Sequence, residues 1–201
     1  MHAAFEGLEA VENAVGDDGY AVTWGDDSSI VQWLDTDLTE LGDREHLPCS
    51  GCDGFPGSAF VVFNDGNYFV LSRGAGDGEI AMYDAPGHRI AGHAGVALDA
   101  TNYTIGSMHV TATCDGVAVV WRGQFAGLSA PDDNRFYTTF FARQREDSLV
   151  PIRQVDIFCN HSGVVYGGQG RGAQGDGTVA AVSQIGGVVR IGIVTDTCAA
   201  P

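Results

Sequence analysis

The sequence predicts an all-β protein, a β-propeller of four blades, each of four strands and about 47 residues. Three observations predict it. A strand–turn–strand element recurs four times. Its turn glycines, Gly19, Gly66, Gly116 and Gly163, are spaced 47, 50 and 47 residues apart. After each copy come a polar, Gly-rich loop, another apolar run, a second turn and a further short strand.

The four copies are Ala14–Trp24, Phe60–Leu71, Val110–Trp121 and Val155–Tyr166. Asp-Gly between apolar runs is the strongest short-range hairpin signal, because both residues tolerate the positive φ of tight hairpin turns. The third strands are expected at Ile30–Leu34, Glu79–Tyr83, Arg135–Ala142 and Thr178–Val182. The fourth strands are expected at Thr39–Leu41, Arg89–Ala91, Leu149–Ile152 and Val188–Val194. The first strand of the first unit is Leu8–Val15, although Phe5, Leu8 and Val11 also recur at helical spacing.

A single domain over 1–201 follows, with repeats at about 8–48, 58–98, 107–152 and 153–198. A four-stranded sheet cannot bury both faces alone, and stacking such sheets around an axis solves this with short edges. A β-sandwich with look-alike turns is the alternative, as is half of a larger propeller completed by a second copy or another chain.

The pattern resembles the propeller-type repeats of secreted and surface proteins of bacteria, myxobacteria especially. Tyr20-Ala-Val-Thr-Trp24, Tyr68-Phe-Val-Leu71 and Val117-Ala-Val-Val-Trp121 carry the first part of the resemblance. Trp33-Leu-Asp-Thr-Asp-Leu38 and Tyr83-Asp-Ala-Pro-Gly87 carry the second. The fourth unit has Gly168 at the Trp position, and the third has a longer loop. The resemblance brings no catalytic residues with it, and implies a secreted or surface location.

Composition narrows the partners. The chain has 29 Gly, a net charge of −16 and ten cationic residues, all Arg. Nucleic acid and anionic membrane surfaces need clustered cations, so both are excluded as expected partners. No apolar run is long enough for a spanning helix, and Met1-His-Ala-Ala-Phe-Glu lacks the basic and apolar regions of a signal peptide. An extracellular or cell-surface location is expected, with a cytoplasmic one left open.

Loops on a rigid scaffold are where binding resides. The loops after the second strands and the linkers between units, above all Gly42–Gly57 and Gly123–Asn134, are therefore the expected recognition surface. Trp24 and Trp121 occupy matching strand positions and are expected in blade cores. Trp33, Phe125 and Tyr137 are freer to be exposed, and with Asp132 and Asp133 they are the candidate ligand-binding residues. Asp26 and Asp27 are candidate Ca²⁺ ligands, although no complete calcium-loop pattern is present. No other cofactor is expected.

Of five cysteines, Cys49 and Cys52 can close a small loop. Cys114 and Cys159 fall near the ends of first strands in adjacent units, which makes them a candidate disulfide, and Cys198 is left over. His46-x-x-Cys49-x-x-Cys52 has zinc-like spacing without a second pair to complete it. No nucleophile elbow, phosphate loop or sialidase-type box is present. The expected function is a non-enzymatic binding or scaffold module for a protein or glycan ligand. The alternatives are a lectin or glycan-active protein, and a homo-oligomer or subunit of a larger ring.

Overall fold

The computed structural model describes residues 11–25, 29–47, 59–72, 78–96, 103–113, 116–125, 134–145, 148–160, 178–185 and 188–195. All of its regular structure is β. The first sheet has the order β1 (Val11–Val15), β2 (Tyr20–Gly25), β3 (Ser29–Leu34), β4 (Glu45–Leu47). The second is β5 (Ala59–Asn64), β6 (Asn67–Ser72), β7 (Glu79–Ala85), β8 (His88–Ala94). The third is β9 (Tyr103–Ala112), β10 (Gly116–Phe125), β11 (Asn134–Arg145), β12 (Ser148–Asn160), and β13 (Thr178–Ile185) pairs with β14 (Val188–Thr195). Every pairing is antiparallel and between chain neighbours. Among the described residues no helix is long and apolar enough to cross a membrane.

The second sheet shows how sequence sets this meander. Asn64 pairs with Asn67 across Asp65-Gly66, whose φ values of 46° and 74° define the primed turn that matches strand twist. Pro86-Gly87 closes β7–β8 in the same two-residue manner, with Gly87 at φ 78°.

The three sheets stack face to face, so both faces of the middle one are buried. Ala14, Ala21, Val31, Trp33 and Leu47 of the first sheet pack on Val61, Tyr68, Val70 and Tyr83 of the second. The other face of the second sheet, with Phe69, Leu71, Ile80 and Met82, packs on Val110, Val119, Trp121, Phe141 and Leu149 of the third. The first strands of the three sheets are neighbours, since β5 lies against both β1 and β9.

Two strands differ from expectation. Thr39–Leu41 supplies only an isolated bridge, Leu34 to Glu40, and the fourth strand of the first sheet is Glu45–Leu47, paired with Ser29–Val31. The cause is local. Asp35 Oδ1 accepts hydrogen bonds from the N–H groups of Asp37 and Thr39, at 2.9 and 2.8 Å, and Leu38 sits at φ 62°. That capped turn bends the chain away from ladder geometry.

Val155–Asn160, expected as the first strand of a fourth unit, instead continues β12, which pairs with β11 over its whole length. The third sheet therefore crosses the expected boundary at 152/153. The described part of the fourth unit is the two-stranded β13–β14 sheet, with β14 near β12.

Candidate binding surface

Each four-stranded meander has a turn end, carrying its first and third connections, and a loop end, carrying its second connection and the linker to the next sheet. Side-chain hydrogen bonds tie the three turn ends together. Tyr68 Oη donates to the Gly19 carbonyl at 2.7 Å. Asn64 Nδ2 donates to the carbonyls of Thr113 and Gly116, both at 2.7 Å. The turns they reach are alike: Gly16 N–H bonds Gly19 O, and Thr113 N–H bonds Gly116 O. Burial raises the Tyr68 pKa, with the charges of Asp18 and Asp17 adding to it, so the phenol stays a neutral donor.

Near the opposite end, the Thr23 hydroxyl donates to the Ala59 carbonyl at 2.9 Å, where β5 begins. Alignment at both ends brings the loop ends of the three sheets to one side. The described strand ends that flank residues 26–28, 48–58, 73–77, 97–102 and 126–133 all lie there.

The candidate site residues distribute as follows. Phe125 is the last residue of β10 at the loop end, its backbone opposite Tyr103. Asp132 and Asp133, in the connection from β10 to β11, and Asp26 and Asp27, in that from β2 to β3, lie outside the described residues. Cys49 and Cys52, in the linker from β4 to β5, also lie outside the described residues.

Two expected surface aromatics are corrected. Trp33 is 2% exposed, wedged against Tyr68 and Tyr83 with ring centroids 5.2 and 4.8 Å away. Tyr137 is 5% exposed and stacked on Trp121 at 4.4 Å. Neither is a stacking platform for a ligand. Both belong to sheet faces covered by the second sheet, where alternation along a strand does not lead to solvent. Trp24 and Trp121 are buried, as expected.

The strand assignment behind the Cys114–Cys159 pairing is also corrected. Cys159 stands on β12 opposite Arg135, whereas Gly116 pairs with Ala142. Seven residue rows along β11, about 23 Å at ~3.3 Å per residue, separate those two levels. Cys114 lies outside the described residues.

Tyr83 donates to Glu45 Oε1 at 2.8 Å across the first two sheets, and Arg89 pairs with Glu79 on the rim of the second. Burial, followed by the charge of Glu45, raises the Tyr83 pKa, so this hydroxyl is a clamp between sheets. Among the described residues no group of three His, Cys, Asp or Glu side chains is placed to hold a metal ion.

Sequence reasoning missed the hydrogen bonds that tie the turn ends. Their signal was present, since Asn64 precedes the turn and Tyr68 follows it in the second copy. No family model matches the chain. No curated protein sequence matches it either.

Proposed function

We propose that the chain is a non-enzymatic, propeller-type binding or scaffold module, acting outside the cell or at its surface. Its recognition surface is the loop end, where segments 26–28, 73–77 and 126–133 and the linkers converge. The observation that carries this reading is the tying of the turn ends. Hydrogen bonds between sheets fix one end of the stack, and the strand ends that flank the unrepeated segments lie at the other.

Closure of the stack into a ring is supported by the far face of the first sheet, the face turned away from the second. Trp24, Ile30 and Gln32 there are 4%, 5% and 2% exposed, yet none belongs to the two cores between sheets. A ring, in which the last unit packs on the first, accounts for that burial. Arg44 covers part of this face, its guanidinium 5.3 Å from the Trp24 ring, and packing of the last unit would cover the rest.

The test exchanges segment 126–133 for a Gly-Ser linker of equal length. Wild type and variant are compared on protein and glycan arrays, with melting curves to show that the scaffold survives. The reading expects a wild-type ligand that the variant loses without a change in melting. Sugar turnover by the wild type would favour the glycan-active alternative. Ligand capture that survives the exchange would refute the placement of the surface.

A further inference from the structure

The first two sheets carry the same row at the same place. In the second sheet Phe63, Tyr68 and Tyr83 are paired side by side near the turn end. In the first sheet Val15, Tyr20 and Leu34 are paired in the same way. The second-sheet row faces the first sheet, and the first-sheet row lies on the face turned away from the second. The second-sheet row is filled. Trp33 packs on Tyr68 and Tyr83, the Tyr68 hydroxyl meets a backbone carbonyl, and the two tyrosines are 1% and 0% exposed. The first-sheet row is open: Val15 is 60% exposed, and Tyr20 and Leu34 are half-buried. Towards the loop end the same face is covered, at Trp24, Ile30 and Gln32.

The filled row states what the open one accepts: a large aromatic side chain beside a backbone carbonyl. The surroundings add a charge requirement. Asp17 and Asp18 follow Val15, Asp35 and Asp37 follow Leu34, and Glu40 bridges Leu34. Among the described residues none of these five carboxylates is in an ion pair. Leu38, 64% exposed and held at φ 62° by Asp35, adds an apolar side chain beside them.

We infer that the Val15–Tyr20–Leu34 row, with Leu38, is a docking surface for a basic, aromatic-bearing extended segment of a partner protein. An aromatic side chain takes the place that Trp33 takes on the second sheet. A partner carbonyl accepts from the Tyr20 hydroxyl, and flanking Arg or Lys side chains face the carboxylates. The surface is at the end opposite the variable loops and does not depend on them.

The probe is a fluorescently labelled, acetylated Gly-Arg-Trp-Arg-Gly amide, titrated by anisotropy at low and high salt. Controls carry Ala for Trp, or Glu for both Arg. Saturable binding is expected to weaken about tenfold with Ala, equivalent to about 1.4 kcal/mol, and to disappear with Glu. Val15→Ser is expected to weaken it similarly, and Tyr20→Phe about fivefold, the loss of one hydrogen bond. Both variants alter exposed or half-buried side chains, and melting curves verify their folding. Absence of binding, equal binding of the Ala peptide, or unchanged binding by folded Val15→Ser overturns the inference. So does a wild-type dimer in light scattering that Val15→Ser dissociates, because the row then belongs to a second copy. The exchange at 126–133 leaves peptide binding unchanged, so failure here is distinguishable from failure of the loop-end surface.

Discussion

Replacing Asn64 tests the ties between turn ends most sharply. Its amide donates two hydrogen bonds of 2.7 Å into the Thr113–Gly116 turn. Asn64→Ala removes both. The Gly116 carbonyl keeps the Thr113 N–H, but the side-chain donor to Thr113 O is gone. At ~1 kcal/mol net for each bond, the cost is about 2 kcal/mol. For a chain of this size that lowers Tm by about 4–8 °C. Asn64→Asp goes further, because it points a carboxylate at two carbonyl oxygens in a half-buried place. At neutral pH it should cost at least about 1 kcal/mol more than Ala. The sign with pH follows from linkage. Repulsion raises the folded-state pKa of this carboxyl above the ordinary ~3.9 of an unfolded Asp. The excess penalty is therefore full above the folded pKa and disappears as pH falls through it towards the unfolded value. Protonated Asp can again donate one bond. Urea titrations of wild type, Asn64→Ala and Asn64→Asp at several pH values measure this. Equal stability of the three proteins, or an Asp–Ala difference independent of pH, would refute the role assigned to Asn64.

Other expectations are as specific. Trp33→Ala empties the seam between the first two sheets and should cost about 3–5 kcal/mol, seen as a large fall in urea midpoint. Gly16→Ala places a Cβ 2.2 Å from the Tyr68 hydroxyl and 2.7 Å from the Phe63 ring. It should destabilise by about 1–3 kcal/mol, and Tyr68→Phe in the same chain should recover part of that loss in thermal melts. His109, edge-on to Phe60 at 5.0 Å, has its pKa lowered from the ordinary 6.5 by burial. The unfolded chain then binds the proton more tightly, so this group costs nothing at high pH and subtracts stability as pH falls below about 6.5. His109→Phe should flatten that part of a stability–pH curve.

Much of the fold was legible because hairpin chemistry is local. Asp65-Gly66 and Pro86-Gly87 specify their turns by φ alone, and the strands around them follow. Misreadings arose where distant pairing decided the outcome. Leu149–Ile152, with Pro151 inside it, and Val155–Asn160 looked like separate strands because the repeat spacing put a unit boundary between them. Pro151 instead sits at a register shift on an edge strand, where its missing N–H is tolerated, and β11 is long enough to pair with both segments. Thr39–Leu41 had strand character, but Asp35 capped the turn before it. The exposure of Trp33 and Tyr137 was misjudged because alternation identifies a buried face only when the other face meets water. Trp33 and Tyr137 stand on the first and third sheets, each on the face that the middle sheet covers. The collection of loops at one end was legible as soon as the four-strand meander was.

Ring closure is tested most directly by two distances between outer strands. Spin labels are placed at exposed positions, in a background with the native cysteines replaced by serine. One pair is His46 on β4 with Ala94 on β8, and the other is His46 with Ile193 on β14. In a ring of four, the last unit is as near the first as the second is, so the two distances should agree within about 5 Å. In an open stack the last sheet lies two further spacings of ~10 Å away. A His46–Ile193 distance about 20 Å longer than His46–Ala94 would contradict the ring.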